Sequence, residues 1–565
     1  MDAPQLVLGS SAVATAGYCL PTQPCWPALD AWSALNSSLV GTLIRPEGPL
    51  PCEPPTCTDA HWRIEQPAGL MFLNFEDGYG LLPDDGLHSA TAAPVEPPAM
   101  TAGDRTPAYV LQALADSDVA QGVVFARAHR LRLRVKNTGH DYLGRSSDPG
   151  SFTIWTHALN ETRFEPDFVP HGAPEGTQPH RALVVGAGTI VKGVYEAADK
   201  AGVLVAGGVS KTVGAGGGYV LGGGHGPLAP LLGLAAENVL EFTAVTSNGT
   251  LVYCSPYENP SLFTALRGGG SAFAILTSVA FRAHDAPPGF VGIFGSFGLR
   301  PGANSTGDSG KAAWKRMVQR WIDLQPQLSD AAPFAGYTYV RRPLESPFAY
   351  ILPSANVTLA KELFRPVFKA AMDDPDLDIQ FRYVVRKSWY ELWHGSFTEA
   401  LESLDEVGIP LLLGGRLVPR EVVEQKSDDL ATFLAESPSP AIVHLVSGRA
   451  VSVEPDFPST VNPAWRHTLL HIDLPVSWPS SAPLSTVHHL SSFLTSHTLR
   501  LGSIASSLGH PQASYASESD YYEKDWQAVW HGEDNYARLL EAKREWDPEG
   551  VFSARKAVGS ELVGW

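Results

Sequence analysis

The chain has 565 residues, of which 44% are hydrophobic and 18% are charged, so it holds enough apolar material for large cores and is not a disordered protein. Its 59 acidic side chains against 41 Lys and Arg give a formal net charge of −18, which argues against a nucleic-acid-binding protein. The longest apolar runs fall short of about 18 residues, so we expect no membrane span.

The first 100 residues are rich in Pro, Trp and Cys and predict an irregular arm with a short helix at residues 32–44. The arm holds four of the five cysteines, a cluster that favours one or two disulfides. Four cysteines allow three pairings, so the connectivity stays open, and buried free thiols are the alternative. The clustered residues are Cys19, Cys25, Cys52 and Cys57.

Five N-x-S/T sequons accompany these cysteines, and the combination predicts a secreted protein with N-glycans. The chain starts Met-Asp-Ala-Pro-Gln, without a basic and apolar leader. We therefore expect that a signal peptide was removed or replaced by the starting Met, and a cytosolic protein is the alternative. The sequon asparagines are Asn36, Asn160, Asn248, Asn304 and Asn356.

Strand and helix patterns alternate between residues 106 and 283, which indicates an α/β or α+β unit. We predict helices at residues 109–129 and 191–201. Ser247-Asn248-Gly249 lies between two strand patterns and predicts a hairpin. The predicted strands are residues 132–136, 154–159, 182–186, 203–206, 239–246 and 250–254.

The pattern changes near residues 287–288, where two prolines occur. The following segment predicts an antiparallel sheet covered by helices. The chain then turns polar and aromatic, and it ends with a helix at residues 536–546. The predicted strands are residues 290–297, 334–340, 441–446 and 468–475, and the predicted helices are residues 311–324, 359–372 and 420–436.

Residues 206–226 are nearly half Gly, so they cannot form a regular helix or strand throughout. Successive backbone N–H groups in such a segment can turn toward an anion, and a pyrophosphate is the natural ligand. The spacing fits neither G-x-G-x-x-G nor G-x-x-x-x-G-K-[ST]. A flexible surface loop is the alternative, but the apolar flanks favour a buried anion cradle.

A second glycine turn follows the predicted strand at residues 132–136. It contains Gly139 and Gly144 and places His140 between them. Its backbone N–H groups could also face a phosphate, while an ordinary turn histidine is the alternative reading. The chain has no CxxC pair, so we expect no zinc ribbon and no thioredoxin-like site, and it has no HExxH or GxSxG motif, so a zinc protease and a serine esterase lack their signals. We therefore name no metal-binding residues, and metal dependence stays open.

The turn at residues 139–147 resembles the histidyl-flavin turn of the berberine-bridge-enzyme-like FAD-linked oxidases, which belong to the vanillyl-alcohol-oxidase superfamily. Residues 207–226 are similar to the second flavin segment of that family. Residues 231–239 and 259–270 resemble its patterns yGLaaDNv and NPdLFwAlRGGG. Residues 515–518, 525–527 and 535–552 resemble its C-terminal motif.

This resemblance implies a two-domain α+β fold with a PCMH-type FAD-binding domain and a substrate domain with an antiparallel sheet covered by helices. We place the arm at residues 1–100 and the FAD-binding domain at residues 101–286. The substrate domain follows at residues 287–510, and residues 511–565 return to the FAD domain.

The resemblance also implies FAD bound through the 8α-methyl group to His140. The family's second flavin-linking residue, a cysteine, is Ser210 here, so we predict one covalent link and no 6-S-cysteinyl bond. The small Val213, at the position that controls oxygen access, favours an oxidase. The implied cofactor-binding residues are Asn137, Thr138, Gly139, His140, Asp141, Tyr142, Gly144, Ser146, Gly207, Gly208, Val209, Ser210, Val213, Gly214, Gly217, Gly218, Gly224, Gly226, Asn238, Asn535 and Tyr536.

The matching C-terminal motif makes Tyr515 and Glu518 the predicted catalytic residues, one of them taking the proton while a hydride leaves the substrate carbon. The family's asparagine in this motif is Ser517 here. Arg267 is expected to support the cofactor segment. Further candidates for the pocket lie on the predicted strands of the substrate domain: Tyr337, Tyr339, Arg382, Arg416, His444 and His471.

The sequence therefore predicts an FAD-dependent oxidase that takes a hydride from an alcohol, sugar or phenolic substrate and reduces dioxygen to hydrogen peroxide. One alternative is an oxidative cyclase or dehydrogenase of secondary metabolism on the same scaffold. Another is a non-catalytic secreted glycoprotein. The expected partners are a small-molecule substrate and dioxygen, and the oligomeric state stays open.

Overall fold

A computed structural model describes residues 17–46 and 107–563, except residues 147, 149, 306, 342–344, 398–410 and 479–481. Cys19 and Cys25 form a disulfide with their Cα atoms 5.9 Å apart, as one of the predicted disulfides in the arm. Cys52 and Cys57 lie outside the described residues. Cys254 is a free, buried thiol.

The first sheet has four strands in the order β1-β2-β4-β3. β2, β4 and β3 run parallel, while β1 is antiparallel to β2. Helix α2 makes the crossover that parallel strands require, and α1 lies in the N-terminal arm. The elements are α1 Leu29–Ser38, β1 Thr42–Ile44, β2 Tyr109–Gln112, α2 Asp116–Ala128, β3 Leu133–Lys136 and β4 Phe152–Trp155.

The prediction of one helix over residues 109–129 is wrong at its N-terminal end. Residues 109–112 form β2 because they pair with both β1 and β4, and these tertiary hydrogen bonds outweigh local helical preference. The predicted helix at residues 32–44 is wrong at its C-terminal end. The observed helix α1 ends at Ser38, and Thr42–Ile44 form strand β1.

The second sheet is antiparallel, with the order β5-β6-β10-β8-β9. The predicted hairpin is confirmed: β8 and β9 pair across a turn in which Gly249 has a φ of 84°. A small sheet pairs β7 with β11. The elements are β5 Thr162–Phe168, β6 His180–Gly186, α3 Val191–Lys200, β7 Val203–Leu204, α4 Ala229–Leu232, β8 Val239–Val245, β9 Leu251–Cys254, α5 Pro260–Leu266, β10 Ile275–Arg282 and β11 His284–Asp285.

The third sheet has seven antiparallel strands in the order β15-β12-β14-β13-β17-β18-β16. The predicted helix at residues 420–436 is two helices, because Lys426 leaves the helical conformation. The elements are β12 Phe290–Leu299, α6 Asp308–Ala331, β13 Ala335–Val340, β14 Ser346–Leu352, α7 Val357–Asp373, β15 Leu377–Arg386, α8 Trp389–Leu392, β16 Leu411–Pro419, α9 Arg420–Gln425, α10 Ser427–Glu436, β17 Ala441–Leu445, β18 Thr468–Ser477 and α11 Leu484–Ser506.

Trp321 anchors α6 to this sheet. Its ring is 1% exposed, and its Nε1 donates to Thr338 Oγ1 at 2.8 Å and to the Tyr350 hydroxyl at 3.1 Å. Trp321 therefore combines a buried apolar ring with a satisfied hydrogen-bond donor, and both interactions hold α6 against the sheet.

The C-terminal segment returns to the first half of the chain through a buried Lys543. Its Nζ donates to the carbonyl oxygens of Ala272 and Phe552 and to Asp547 Oδ2, at 2.6–2.8 Å. Asp547 in turn accepts from the backbone N–H groups of Val551 and Phe552. The elements are α12 Trp526–His531, α13 Glu533–Trp546 and α14 Ser560–Val563.

These sheets confirm the two-domain α+β fold. The predicted boundary at residues 286–287 lies between β11 and β12, where the chain passes from the small sheets to the seven-stranded sheet. No helix in the described ranges is both long and apolar enough to cross a membrane.

A buried carboxylate ties the N-terminal arm to this frame. Asp118 is fully buried and accepts from the backbone N–H groups of Val40 and Gly41 in the arm and of Leu114 and Ala115 before α2. Charge-assisted hydrogen bonds of this kind stabilise a protein more than neutral ones.

We expect Asp118→Ala to release the arm, because four backbone donors lose their acceptor at about 1–3 kcal/mol each where they stay buried. Limited proteolysis should then cut the chain near residues 38–41 sooner than in the wild type. Asp116→Ala, in the same helix turn, is the control and should be cut at the wild-type rate. Equal rates in both variants would show that Asp118 does not hold the arm.

Candidate active site

A cavity of about 940 Å³ lies where the three sheets and the C-terminal segment meet. Its wall includes both glycine segments, the strands β13 and β17, and residues 515–518. Pockets of this size accommodate cofactor-sized ligands. The sequence elements predicted for the cofactor and for catalysis thus converge on one space.

The first glycine segment leaves β3 and bends at Gly139 and Gly144, whose φ angles are 85° and 70°. Only glycine adopts such angles at little cost. Asp141 closes the bend, since its carboxylate accepts from the Arg145 guanidinium at 2.7 and 3.0 Å. Between the glycines, His140 Nε2 lies 2.8 Å from Thr212 Oγ1 of the second segment.

The second glycine segment is held by close backbone contacts. A Cβ at Gly214 would lie 2.2 Å from Asn137 Nδ2, and one at Gly226 would lie 2.0 Å from the Gly207 carbonyl oxygen. The contact at Gly214 joins the two segments, so a side chain there would push them apart. The contact at Gly226 lies within the second segment and lets that segment fold back on itself.

Two features of the wall fit a bound FAD. The Asn137 Oδ1 atom is buried and has no hydrogen-bond partner within the described residues, so a ligand N–H or hydroxyl would satisfy it. A Cβ at Gly218 would meet nothing within 4 Å, so this position leaves room along the cavity. FAD carries both N–H and hydroxyl groups, either of which could donate to Asn137 Oδ1.

Most of the predicted cofactor residues lie at the cavity wall, and so do Tyr515 and Glu518. The wall residues among the predicted set are Asn137, Thr138, Gly139, His140, Asp141, Tyr142, Ser146, Gly208, Val209, Ser210, Val213, Gly214, Gly217 and Gly218. Seven predicted residues are not brought to the wall: Gly144, Gly207, Gly224, Gly226, Asn238, Asn535 and Tyr536.

These seven lie off the wall and make other contacts. Asn238 donates to the carbonyl oxygens of Leu232 and Leu234, and Asn535 donates to that of Val461. The Tyr536 hydroxyl donates to Glu561. Gly144, Gly207, Gly224 and Gly226 shape the two segments, and the Gly224 N–H donates to the Tyr515 hydroxyl at 3.3 Å.

Three strands of the seven-stranded sheet place a row of side chains over the cavity. Tyr337 on β13 is paired with His444 on β17, and His444 is paired with His471 on β18. Residues paired across a sheet project to the same face, so the two imidazoles lie side by side with ring centroids 5.3 Å apart.

Glu518 joins this row to the second glycine segment. Its Oε2 lies 2.7 Å from His225 Nε2 and 2.8 Å from His471 Nε2. Asp473 flanks the pair, with Oδ1 3.0 Å from His471 Nε2. One carboxylate oxygen thus contacts two imidazoles, of which that of His225 lines the cavity and that of His471 is buried behind it.

This arrangement sets the charges of the two predicted catalytic residues. Burial raises the pKa of Tyr515, and the Glu518 carboxylate raises it further. Burial also raises the pKa of Glu518, but the imidazoles of His225 and His471 outweigh it and hold this pKa well below its usual range. At neutral pH the phenol is protonated and the carboxylate is charged.

The imidazoles differ from each other. Burial lowers the pKa of His471, but Asp473 and Glu518 outweigh it and raise this pKa to about 10. Burial, and then the neighbouring imidazoles of His471 and His225, hold the pKa of His444 well below its usual range. At neutral pH the His471 ring is therefore charged, whereas the His444 ring is neutral.

Sequence reasoning left His225 and Asp473 out of the site. His225 stands inside the glycine segment, and a lone histidine between Gly224 and Gly226 is the signal that could have identified it. Asp473 follows His471 by two residues, which is same-face spacing on a strand. Because Gly415 has no side chain, it leaves room for His471 and Asp473. A Cβ at Gly415 would lie 2.5 Å from Asp473 Oδ1.

Among the further candidates, Tyr337, Tyr339 and His444 line the cavity. Arg416 is buried and bonds Glu523 at 2.6 Å, and Arg382 is exposed on β15, so neither reaches the wall. Arg267, expected to support the cofactor segment, lies off the cavity wall. Its guanidinium donates to the backbone carbonyl oxygens of Ala236, Glu237, Phe457 and Pro458.

Two family models match the chain. One, described as FAD binding domain, covers residues 107–255, and the other, described as Berberine and berberine like, covers residues 514–559. The first contains both glycine segments, and the second contains Tyr515, Glu518 and the returning helix α13.

Curated relatives match nearly the whole chain. An uncharacterized FAD-linked oxidoreductase of Arthroderma benhamiae is 32% identical over 587 residues, with 98% of this chain and 96% of the relative covered. FAD-linked oxidoreductase ZEB1 of Gibberella zeae is 32% identical over 559 residues, with 96% and 93% covered.

Solved structures share the fold. The VAO-type flavoprotein MtVAO615 of Myceliophthora thermophila is 25% identical, with a TM-score of 0.79 over 96% of this chain and 97% of its own. A glucooligosaccharide oxidase of Acremonium strictum is 19% identical, with a TM-score of 0.61 over 80% and 91%.

Filling the open side of Gly218 should exclude the cofactor. We expect Gly218→Phe to be purified with little FAD while its far-ultraviolet circular dichroism stays that of the wild type, because the ring would occupy cavity space. Gly395→Phe is the matched control: Gly395 is exposed, has open space at its Cβ and lies off the wall. Full FAD occupancy in Gly218→Phe would contradict the assignment of this wall.

Proposed function

The chain belongs to the berberine-bridge-enzyme-like FAD-linked oxidoreductases of the vanillyl-alcohol-oxidase superfamily, and on that premise we propose that it oxidises a hydroxyl-bearing carbon and reduces dioxygen to hydrogen peroxide. The observation that carries this proposal is the shared cavity, which both glycine segments and the Tyr515–Glu518 pair line. When bound there, FAD supplies a two-electron acceptor that dioxygen reoxidises.

The side chains around the cavity handle the substrate proton. Tyr515 is 4% exposed and receives a hydrogen bond from the Gly224 N–H, which fixes its hydroxyl. Glu518 is 21% exposed and is held by two imidazoles. We assign to this pair the binding of the substrate hydroxyl and the removal of its proton.

His140 is proposed as the single covalent attachment point of FAD. It lies at the cavity wall and is oriented by its contact with Thr212. Ser210 also lines the wall but has no thiol, so it cannot form a second link. A single link through an imidazole still withdraws electron density from the cofactor, which favours hydride acceptance.

The lining of the cavity favours an alcohol on an aromatic or phenolic ring as the substrate. A sugar needs many polar partners, whereas much of this wall offers apolar and aromatic surface. Solved neighbours that include a glucooligosaccharide oxidase and a chitooligosaccharide oxidase make sugars the competing class. The apolar and aromatic wall residues include Tyr339, Leu411, Leu413, Pro440, Ile442 and Phe493.

We also propose that the protein is secreted and carries N-glycans. The Cys19–Cys25 disulfide supports an oxidising compartment. All five sequon asparagines are exposed, as a glycosyl acceptor requires. Mass spectrometry before and after endoglycosidase treatment of protein from a eukaryotic host tests this; an unchanged mass would refute the glycan proposal.

A peroxide-coupled screen of phenolic alcohols, simple alcohols and oligosaccharides tests the reaction. We expect hydrogen peroxide with at least one aromatic or phenolic alcohol and less with sugars, because of the apolar wall. Peroxide from sugars alone would overturn the substrate class. Anaerobic bleaching of the flavin without peroxide in air would instead favour the dehydrogenase or cyclase alternative.

Tyr515→Phe and Glu518→Gln should each slow anaerobic flavin reduction by about 10²–10⁴-fold, because each removes a group that handles the proton. Stopped-flow absorbance measures this rate directly. Tyr522→Phe, which changes a half-buried phenol off the wall, is the control and should react at the wild-type rate. Rates within about threefold of wild type in both variants would remove the pair from the mechanism.

His140→Ala should abolish covalent attachment. Acid precipitation of the wild type should leave a yellow pellet, while the variant should release its FAD into the supernatant. His488→Ala changes an exposed histidine on α11 and should behave as the wild type. A yellow pellet from His140→Ala would place the link elsewhere.

A further inference from the structure

Three imidazoles and one carboxylate form a cluster at the cavity wall. Each residue offers one ligand atom, and these atoms all lie within 4.8 Å of one another. The residues come from three separate parts of the chain: the second glycine segment, the paired strands β17 and β18, and the C-terminal motif. The cluster consists of His225, His444, His471 and Glu518.

We propose that this cluster binds one divalent first-row transition metal, with zinc as the preferred ion, inside the substrate cavity. Three nitrogens and one carboxylate oxygen are the ligand types that zinc takes in proteins. Imidazole-rich sites disfavour magnesium and calcium, which prefer oxygen ligands.

His444 provides the strongest evidence for a bound cation. It is 6% exposed, and neither of its ring nitrogens has a hydrogen-bond partner within the described part of the chain. A buried imidazole without partners is costly, and such a group points to a missing ligand. The nearest carboxylate contact is Asp473 Oδ2, which lies 3.8 Å from His444 Nε2, beyond hydrogen-bonding distance.

A hydrogen-bond network without metal explains only part of the cluster. It accounts for His225 and His471, whose Nε2 atoms both contact Glu518 Oε2. It leaves out His444, whose ring lies 5.6 Å from that of His225 and 5.3 Å from that of His471. A cation would give all three rings a common partner.

The distances are close to those of a bound metal. Zinc–nitrogen bonds of about 2.1 Å in a tetrahedron put the ligand atoms about 3.4 Å apart. The present separations of up to 4.8 Å need only small rotations of these side chains. Asp473 Oδ1 also lies 3.0 Å from His471 Nε2, so a second carboxylate stands beside the proposed site and its negative charge favours a cation there.

A cation at this place would face the cavity, since His225, His444 and Glu518 all line it. Zinc can add a fifth ligand, so a substrate oxygen could complete its coordination. This role in positioning substrate rests on the proposed oxidase function, whereas metal binding itself does not.

The test measures zinc in tag-free, FAD-loaded protein that has been treated with a chelator, dialysed, and then incubated with zinc or magnesium. We expect about one zinc per chain by plasma mass spectrometry and no retained magnesium. His444→Ala and His471→Ala should retain at least about tenfold less zinc under the same dialysis. His488→Ala, with an exposed histidine, should retain the wild-type amount.

Cobalt provides a second readout that does not depend on activity. Cobalt-loaded wild type should show ligand-field absorption at wavelengths longer than those of the flavin, and His444→Ala should lose it. Flavin absorbance and the melting temperature of each variant show whether the protein is folded. Should His444→Ala fail to fold, the conservative His444→Gln takes its place in both measurements.

Zinc retention no higher than the magnesium background, or equal retention in wild type and in folded His444 variants, would overturn the proposal. The outcome is separable from the oxidase function. One zinc per chain without turnover of any alcohol would support the metal site and count against the oxidase. Substrate-driven flavin reduction in protein that binds no zinc would support the oxidase function and count against the metal site.

Discussion

The close approach of two glycine segments determines the rest of the site. Gly214 of the second segment lies so close to the Asn137 side chain of the first that a Cβ there would be 2.2 Å from Asn137 Nδ2. This contact brings the end of β3, with His140, beside the segment that carries Ser210 and Val213. At this place the cavity wall consists of backbone and small side chains, which leaves room for a cofactor-sized ligand.

The other side of the cavity follows a different principle. Here the seven-stranded sheet places long polar side chains in register, and the C-terminal segment inserts Tyr515 and Glu518 between them. Buried charges persist only when they are paired, and Glu518 has two imidazole partners while Asp473 has one. The cavity thus joins a wall built from backbone and small side chains to a wall built from charged side chains.

Local sequence patterns predicted the fold class, the hairpin at Asn248-Gly249 and helix α3, because each depends on neighbouring residues. Strand β2 was predicted as helix, because its conformation depends on pairing with β4, 43 residues further along the chain (Tyr109 pairs with Phe152). The glycine segments and His140 could be predicted from motifs. The His225–His444–His471–Glu518 cluster could not, since it depends on the register of β17 with β18 and on a distant tail, neither of which leaves a local signal.

We propose that one cavity holds FAD against His140 and presents the isoalloxazine ring to Tyr515 and Glu518. A crystal structure of the FAD-loaded protein is the decisive measurement. We expect continuous electron density from the His140 ring to the flavin, with the isoalloxazine in contact with the Tyr515 hydroxyl or the Glu518 carboxylate. Flavin density outside this cavity, or a His140 ring turned away from it, would contradict this placement.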